Sequence, residues 1–326
     1  MGERIRWGIT ATGHIAERFA TGLAQLDDAD IVAVASRSAE RADEFGARHD
    51  IARRHGSYEA LAADADVDVV YVATPHARHE ADTLLFLGAG KPVLCEKPFA
   101  INRPQAERMA AAARSSGVFC MEAMWSRFLP AYRRLADLLG DEVIGEPLVV
   151  EADFGFRVPV EPAHRLFDRS LGGGALLDLG IYPVQLASLV LGTPDRVSAL
   201  ARLGQTGVDE QVAAVLGHPS GPLAVVKAAI RVGLSCTARI SGAHGWIELP
   251  AFMHCPDHLV VGGREGPLRH DCAFDGEGLR YQAVEVHDCL RAGRTESAVM
   301  PLDETCAIAG TLDAVRAQIG LDYPGE

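Results

Sequence analysis

The sequence predicts an α/β protein in two parts: an N-terminal doubly wound parallel sheet, and a C-terminal α+β domain with a large, mostly antiparallel open sheet. Strand-like and helix-like segments alternate from Arg4 to Met121, which is the pattern of a parallel sheet with helical crossovers. The strands of this half are nearly continuous runs of Val, Ile and Ala, as expected when helices cover both faces. After Trp125, strand-length segments follow one another without a convincing helix between them.

The elements of the N-terminal half follow from hydrophobic runs and their periodicity. The predicted strands are IRWGIT, IVAVAS, VDVVYVAT, PVLCE and VFCM. The predicted helices run from Ile15 to about Leu26, from Glu40 to His49, from Arg78 to Leu87 and from Arg103 to Ser115.

The C-terminal half begins with a helix from Pro130 to Leu139 and the long strand EPLVVEADFGFR, and a glycine triplet then opens the apolar helix GALLDLGIYPVQLASLVL. Five further strands are predicted, namely RVSALARLG, EQVAAVLG, LAVVKAAIRV, CTARISG and GWIEL. Helices from Leu279 to Ala292 and from Leu302 to Ile319 finish the chain. Because 326 residues exceed one comfortable core, we predict a first domain over residues 1–124 and a second over residues 125–326.

Composition restricts the class of ligand. The chain is 48% hydrophobic and 23% charged, with a net charge of -13. An acidic surface disfavours nucleic acid and anionic membranes, so we expect a small-molecule ligand, no nucleic acid and no membrane. The N-terminal residues MGERIRW run into a strand without a signal-peptide core, and we expect a cytoplasmic protein.

The cysteines indicate neither a disulfide framework nor a metal centre. There are seven, an odd number, and none forms a C-x-x-C pair, which suits reduced thiols in a core. A segment rich in His and Cys runs from His254 to Cys272, but its spacing lacks the two-plus-two ligand pattern of zinc sites. We therefore expect no metal and leave the role of this segment open.

The turn after the first strand predicts a dinucleotide site. In WGITATGHIA, the three glycine positions of the fingerprint G-x-G-x-x-G/A fall on Ala11, Gly13 and Ala16, and only the middle glycine is kept. An alanine at the first position holds a tight turn provided its φ stays negative. The surrounding strand, turn, helix and second strand favour a Rossmann domain, with pyrophosphate at the N-terminus of the first helix. The candidate residues are Thr10, Ala11, Thr12, Gly13, His14 and Ile15.

The end of the second strand favours NADP(H) over NAD(H). An acidic residue there would accept hydrogen bonds from a ribose 2′-hydroxyl and repel a 2′-phosphate. This sequence instead offers Ser36 and Arg37, with Arg41 one helical turn on. The competing interpretation is that the two arginines are solvent-exposed residues at the N-terminus of a helix and bind no cofactor.

Two further strand ends are expected to meet the nicotinamide. The third parallel strand is followed by Thr74, Pro75, His76 and His79, and the fourth by Glu96 and Lys97. Ligands bind at the carboxyl ends of such strands. A lysine in this place predicts a catalytic cation, whereas the alternative is a surface lysine in a loop.

A proton must also leave or join the substrate oxygen when a hydride moves to or from an alcohol carbon. Asp178 and Tyr182 lie four residues apart on a predicted helix, and the glycine triplet upstream suggests close backbone approach at a cleft. A free phenol has a pKa of about 10, so a base near neutral pH needs a nearby cation. We predict that Lys97 lowers the pKa of Tyr182 and polarises the substrate oxygen.

With these motifs in place, the chain resembles the glucose-fructose oxidoreductase and inositol dehydrogenase family, Gfo/Idh/MocA, over nearly its whole length. The runs EKPF, EAMWSRFLP, DFGFR and GGGALLDLGIYPV resemble its branch of dimeric dihydrodiol dehydrogenases and NADP-dependent D-xylose 1-dehydrogenases. The resemblance implies that Lys97 is the catalytic lysine, Tyr182 the acid/base with Asp178 one turn earlier, and Arg37 the ligand of the NADP phosphate. It also implies a cis bond before Pro98 and a substrate pocket lined by Trp125, Phe154 and Tyr182.

The expected activity is therefore that of an NADP-dependent dehydrogenase or reductase acting on a CH–OH group of a sugar, polyol or trans-dihydrodiol. The alternatives are a non-catalytic NADP-binding regulator of the same fold and a reductase of a keto- or anhydro-sugar. The open edge of the second sheet predicts self-association as a homodimer or a dimer of dimers. The exact substrate and the physiological direction stay open.

Overall fold

A computed structural model of the chain describes residues 4–264 and 266–326. The described chain separates into two compact units that are not contiguous in sequence. Unit 1 contains the described residues up to Ala100 together with Pro104–Phe128 and Asp275–Thr305. Unit 2 contains Ile101–Arg103, Leu129–Phe274 and Cys306–Glu326. The predicted domains, 1–124 and 125–326, have a single boundary instead.

Unit 1 is built on a parallel sheet of six strands, as far as the described residues show, in the order β3-β2-β1-β4-β5-β6. Its strands are β1 Ile5–Thr10, β2 Ala29–Ala35, β3 Arg53–His55, β4 Val69–Val72, β5 Val93–Glu96 and β6 Cys120–Ala123. The helices that follow them are α1 His14–Leu23, α2 Ala39–Arg48, α3 Tyr58–Ala62, α4 His79–Gly88 and α5 Arg103–Ser116. This strand order reverses between β1 and β4, so the carboxyl ends of these strands flank the crevice in which doubly wound sheets bind dinucleotides.

Unit 2 is built on an open sheet of eight strands within the described residues, in the order β14-β13-β12-β11-β7-β10-β9-β8. Its strands are β7 Pro147–Gly155, β8 Arg196–Leu203, β9 Asp209–Gly217, β10 Leu223–Ala229, β11 Ala238–Gly242, β12 Trp246–Leu249, β13 His258–Gly262 and β14 Leu268–Asp271. Its pairs are antiparallel except for β7 with β10. The remaining helices of the chain are α6 Pro130–Gly140, α7 Ile181–Leu191, α8 Arg280–Arg291 and α9 Leu302–Ile319.

These two sheets confirm the predicted fold class, and the differences are local. Strand β3 and helix α3 were not predicted, because β3 has only three residues and reads Arg-Arg-His, without an apolar run. The His- and Cys-rich segment, to which no element was assigned, contributes His258 to β13 and His270 to β14 at the end of the sheet. No group of three or more His, Cys, Asp or Glu side chains that could hold a metal ion occurs among the described residues.

The α8 segment belongs to unit 1, although it lies far along the chain. The indole N–H of Trp7 on β1 donates to Nε2 of His287 at 2.9 Å, and Nδ1 of His287 lies 3.0 Å from Asp28. Arg18 on α1 pairs with Glu277 at 2.7 Å. These contacts span more than 250 residues of sequence, which a local pattern cannot reveal.

The apolar segment Arg169–Leu191 is long and apolar enough to cross a membrane, with a mean hydropathy of 1.5. However, 78% of its apolar window is buried inside the protein. This burial is typical of a core helix in a soluble protein, so the segment is weak evidence for a membrane span.

Candidate active site

The first turn of unit 1 has the open helix end that a pyrophosphate needs. Gly13 caps α1 in an extended conformation without a side-chain hydrogen bond to the first turn. A Cβ added to Gly13 would meet no heavy atom within 4 Å, so there is room beside the free amides of this ten-residue helix. Thr12, His14 and Ile15 are half-buried or exposed beside it.

Ala11 departs from the expectation for this turn. Its φ is +63°, in the left-handed region, whereas the sequence analysis required a negative φ for an alanine here. The backbone N–H of Ala11 donates to Ala35 at the end of β2 at 2.9 Å, which holds the turn against the neighbouring strand. The conformation that glycine favours is therefore imposed on an alanine, at a cost of about 1–2 kcal/mol.

Thr10 has a structural contact that the sequence analysis did not foresee. Its hydroxyl group donates to the carbonyl of Tyr71 at 3.2 Å and accepts from the N–H of Ala73 at 3.1 Å. This side chain therefore joins β1 to β4 at the switch point, beneath the turn.

The end of β2 carries two exposed arginines and no acid at the strand terminus. Ser36 is buried and accepts a hydrogen bond from the N–H of Ser38 at 3.2 Å, whereas Arg37 and Arg41 are exposed. Arg37 lies beside the buried hydroxyl group of Tyr58. Glu40, predicted only as the first residue of a helix, accepts a hydrogen bond from the hydroxyl group of Ser38 at 2.6 Å.

The end of β4 presents buried polar groups. The hydroxyl group of Thr74 is buried and has no hydrogen-bond partner among the described residues. Pro75 precedes a short 3₁₀ turn that begins with His76, and the rings of His76 and His79 meet edge to face at 5.7 Å. A buried hydroxyl without a partner at a strand end suits contact with a ligand.

Three buried side chains hold successive backbone groups of the turn that carries Lys97. Oε2 of Glu96 accepts from the N–H of Lys97 at 3.2 Å, Nδ1 of His79 lies 2.8 Å from the carbonyl of Pro98, and Oε1 of Glu122 accepts from the N–H of Phe99 at 3.0 Å. The bond before Pro98 is cis, as the resemblance implied. Lys97 thus lies in a turn directly after β5 whose backbone is held at three successive residues.

The ionisable groups around this turn have shifted pKa values. Burial raises the pKa of Glu96, while a hydrogen bond from Tyr71 opposes the shift. Burial raises the pKa of Glu122 to about 7. Burial lowers the pKa of His79, whose two ring nitrogens both lie 2.8 Å from carbonyl oxygens, those of Pro98 and Thr74.

In unit 2, Tyr182 lies in a cluster of aromatic rings. The Phe154 ring meets the Tyr182 ring edge to face, with the ring centroids 5.4 Å apart. His254 completes the cluster, with its ring centroid 4.4 Å from that of Phe154 and 5.1 Å from that of Tyr182. The sequence analysis considered His254 only as a metal ligand, and no local signal places its loop beside α7.

Asp178 binds an arginine that the sequence analysis missed. Its buried carboxylate pairs with the guanidinium of Arg165 through contacts of 2.9 and 3.4 Å. Asp178 also lies within a π-helical turn, Leu176–Gly180, that leads into α7, where the sequence predicts a regular α-helix. Such turns are rare and often occur at functional sites.

The glycine triplet allows close approach of neighbouring groups, as the sequence predicts. A Cβ on Gly173 would lie 2.6 Å from the carbonyl oxygen of Arg165, and one on Gly174 would lie 2.1 Å from Oδ1 of Asp209. Oδ2 of Asp209 accepts from the N–H of Leu176 at 2.7 Å, so this buried acid caps the helix that leads to Tyr182.

Trp125, the third predicted pocket residue, is buried in unit 1, and the guanidinium group of Arg18 lies 5.5 Å from its ring centroid.

A doubly wound sheet with an open first turn and a lysine-bearing turn after β5 defines an NAD(P)-binding oxidoreductase. Residues 5–124 match the family described as oxidoreductase family, NAD-binding Rossmann fold, and residues 132–248 match the GFO/IDH/MocA C-terminal domain. The chain belongs to the Gfo/Idh/MocA family of oxidoreductases.

Its relatives include trans-1,2-dihydrobenzene-1,2-diol dehydrogenases. That of Homo sapiens is 42% identical over 98% of both chains, and that of Xenopus laevis is 39% identical over 98% of this chain and 99% of its own. A solved structure of a 3-ketoreductase from Actinomadura kijaniata in complex with NADP and TDP-benzene has a TM-score of 0.86 and 28% identity, covering 97% of this chain and 98% of its own. An aldose-aldose oxidoreductase from Caulobacter crescentus, complexed with glycerol, has a TM-score of 0.88 and 25% identity, covering 97% of both chains.

Proposed function

We propose that the protein is an NADP-dependent oxidoreductase that moves a hydride between the nicotinamide and a CH–OH or C=O carbon, with Tyr182 as the acid/base and Lys97 as its cationic assistant. The observation that carries this proposal is the turn after β5, whose backbone is held at three successive residues by Glu96, His79 and Glu122. Ionisable side chains are rarely buried, and here three of them hold the backbone that presents Lys97, as expected for the support of a functional side chain.

The residues of unit 1 suit NADP(H) better than NAD(H). The open amides at Gly13 suit the pyrophosphate, and the exposed guanidinium groups of Arg37 and Arg41 suit a 2′-phosphate. The NADP complex of the related 3-ketoreductase supports the same choice. The cofactor, when bound, supplies or accepts the hydride.

The protein groups manage the proton. The Tyr182 hydroxyl is proposed to take the proton of a substrate alcohol, or to return it to a carbonyl oxygen. The ammonium group of Lys97 favours the phenolate form and stabilises negative charge on the substrate oxygen. The pair Asp178–Arg165 fixes the turn before Tyr182, and the Phe154 and His254 rings fix the position of the phenol.

The substrate is proposed to be a sugar, a polyol or a trans-dihydrodiol. The named relatives act on a trans-dihydrodiol, on an aldose or as a 3-ketoreductase. Aromatic faces such as those of Trp125 and Phe154 suit both the C–H surface of a sugar and an arene diol.

The decisive experiment is an initial-rate screen of pentoses, hexoses, keto- and anhydro-sugars and trans-dihydrodiols with NADP(H).

On the best substrate, Tyr182→Phe should lower kcat by about 10²- to 10⁴-fold, the usual contribution of a positioned acid/base, with cofactor affinity little changed. Tyr281→Phe, on α8, is the matched control and should keep the parent rate. Activity of Tyr182→Phe within threefold of the parent would refute the role, and cofactor binding without turnover of any substrate would favour a regulator.

We also propose that the protein forms a homodimer through the open sheet of unit 2. By strand register, Leu200, Val215 and Leu223 share one face of this sheet, and Leu200 is 82% exposed. Apolar side chains gathered on one exposed sheet face are typical of an interface. Light scattering at micromolar concentration should show a dimer, and Leu200→Glu should shift it to monomer; a monomeric parent would contradict the proposal.

A further inference from the structure

Glu122 is an ionisable residue in a strand that is otherwise apolar. The β6 strand reads Cys-Met-Glu-Ala, all four residues are buried, and Glu122 is 1% exposed. Burying a carboxyl group costs free energy unless its oxygens are hydrogen-bonded. A glutamate in such a place therefore needs a local reason.

The reason lies at the end of the neighbouring strand. Cys95 on β5 lies opposite Glu122, and Glu96 opposite Ala123, after which the chain leaves the sheet. Past that point the N–H of Phe99 has no strand to pair with, and a buried N–H without an acceptor is strongly unfavourable. Oε1 of Glu122 accepts from this N–H at 3.0 Å and replaces the missing ladder bond.

The contact lies two residues after Lys97, and the groups around it are buried. The groups facing the Glu122 carboxyl from the packed elements are Arg127 from the turn Trp125–Phe128, Thr305 from α9 and Glu96 from β5. Arg127 is itself paired with Glu304 at 2.7 Å. Oε2 of Glu122 and the hydroxyl group of Thr305 have no hydrogen-bond partner among the described residues, so the bond to Phe99 is the hydrogen bond of this carboxyl group that the structure shows.

We propose that Glu122 is a positioning residue for Lys97: its carboxyl group holds the backbone of Phe99 and so fixes the turn that presents the Lys97 ammonium group. This inference rests on the proposed role of Lys97. It differs from a purely electrostatic role, because the required property is an acceptor at the right distance and not a negative charge.

Three substitutions separate these roles. Glu122→Gln keeps the length and an acceptor oxygen but loses the charge, and it should keep kcat within about threefold of the parent. Glu122→Asp keeps the charge but withdraws the acceptor by one methylene, and it should lower kcat by about 10- to 100-fold, as expected for misplacement by about 1 Å. Glu122→Leu should lower kcat at least as much, and if that variant does not fold, the Gln and Asp variants still decide.

The kinetic signature should be that of a displaced cation. In Glu122→Asp, KM and the dissociation constant of NADP should change by less than about threefold. The pKa seen in the pH profile of kcat for alcohol oxidation should rise, because the displaced Lys97 ammonium group no longer favours the phenolate form of Tyr182. Cys120→Ala, a core truncation on the same strand, is the matched control. It should lower stability and leave the pH profile unchanged.

A double-mutant cycle completes the test. If Glu122 acts through Lys97, Glu122→Asp should have no further effect on kcat in a Lys97→Ala background. Additive losses, or an Asp variant that outperforms the Gln variant, would overturn the inference. A fully active Lys97→Ala would instead refute the proposed function, so the two failures can be told apart.

Discussion

The carboxylate of Asp209 occupies the space in which a Cβ on Gly174 would lie. The two residues are 35 positions apart in sequence, and a Cβ built on Gly174 falls 2.1 Å from Oδ1 of Asp209. Gly174 also has a φ of +121°, which L-residues other than glycine rarely adopt. Asp209 can cap the helix that leads to Tyr182 only because residue 174 has no side chain.

Gly174→Ala should therefore reduce the free energy of unfolding by about 2 to 3 kcal/mol, from backbone strain and displacement of the cap. Gly233→Ala is the control, because Gly233 is exposed and a Cβ there would meet no atom within 4 Å. It should change stability by less than about 0.5 kcal/mol. Urea unfolding of both variants is the measurement, and equal losses would contradict the steric explanation.

Ala11→Gly should stabilise the protein by about 0.5 to 1 kcal/mol. The left-handed φ of Ala11 is unfavourable for a Cβ, and part of the relief is offset by the greater freedom of glycine in the unfolded chain. Ala24→Gly is the matched control: Ala24 has a φ of -61°, so glycine there should destabilise by about 0.5 to 1 kcal/mol. In thermal melts of the cofactor-free protein, the melting temperature should rise for Ala11→Gly and fall for Ala24→Gly. A fall for Ala11→Gly would show that the backbone of Ala11 is not strained.

The outcome at Ala11 shows what the sequence could and could not predict. The order of strands and helices was predictable because buried parallel strands and their helices have distinct periodicities. The φ of one turn residue was not, because the turn is held by a contact with the next strand, where the N–H of Ala11 donates to Ala35. The glycine triplet was recognised as unusual, but its partner Asp209 lies on β9, 35 residues after Gly174, and could not be inferred from spacing.

The same distinction applies to the candidate site. Lys97 and Tyr182 were identifiable because charged or phenolic groups beside apolar runs are conspicuous. Their supporting residues, Arg165 and Glu122, come from a loop and a neighbouring strand. Glu122 did leave a signal, an acid inside the apolar run VFCMEAM, which the sequence analysis did not use.

Arg37→Ala should weaken NADP binding by about 1.5 to 3 kcal/mol, the contribution of a hydrogen bond to a charged group, and should leave NAD binding nearly unchanged. Arg48→Ala is the control: it removes a cation from the opposite end of α2, and its loss of NADP affinity should be small. Fluorescence titration of each variant with both cofactors is the measurement. Equal losses for NADP and NAD would show that Arg37 does not read the 2′-phosphate.

His287 should make the stability of unit 1 depend on pH. The indole N–H of Trp7 donates to Nε2 of His287, so Nε2 must be unprotonated, while Nδ1 faces Asp28. Burial lowers the pKa of His287 below its ordinary value of about 6.5, although Asp28 opposes the shift. Below about pH 6.5 the unfolded chain therefore binds the proton more readily than the folded one, and stability falls as the pH decreases, by at most about 1.36 kcal/mol per pH unit.

The measurement is the difference in unfolding free energy between the parent and His287→Gln from pH 8 to pH 5. Gln can still accept a hydrogen bond from Trp7 but does not titrate. The contributions of the other titrating groups to the pH dependence of stability therefore cancel in the difference. These groups include Glu122 and Asp209, whose raised pKa values increase stability as the pH falls. The parent should lose stability relative to the variant as the pH falls below about 6.5. A flat difference for His287→Gln would show that folding does not change the protonation of His287.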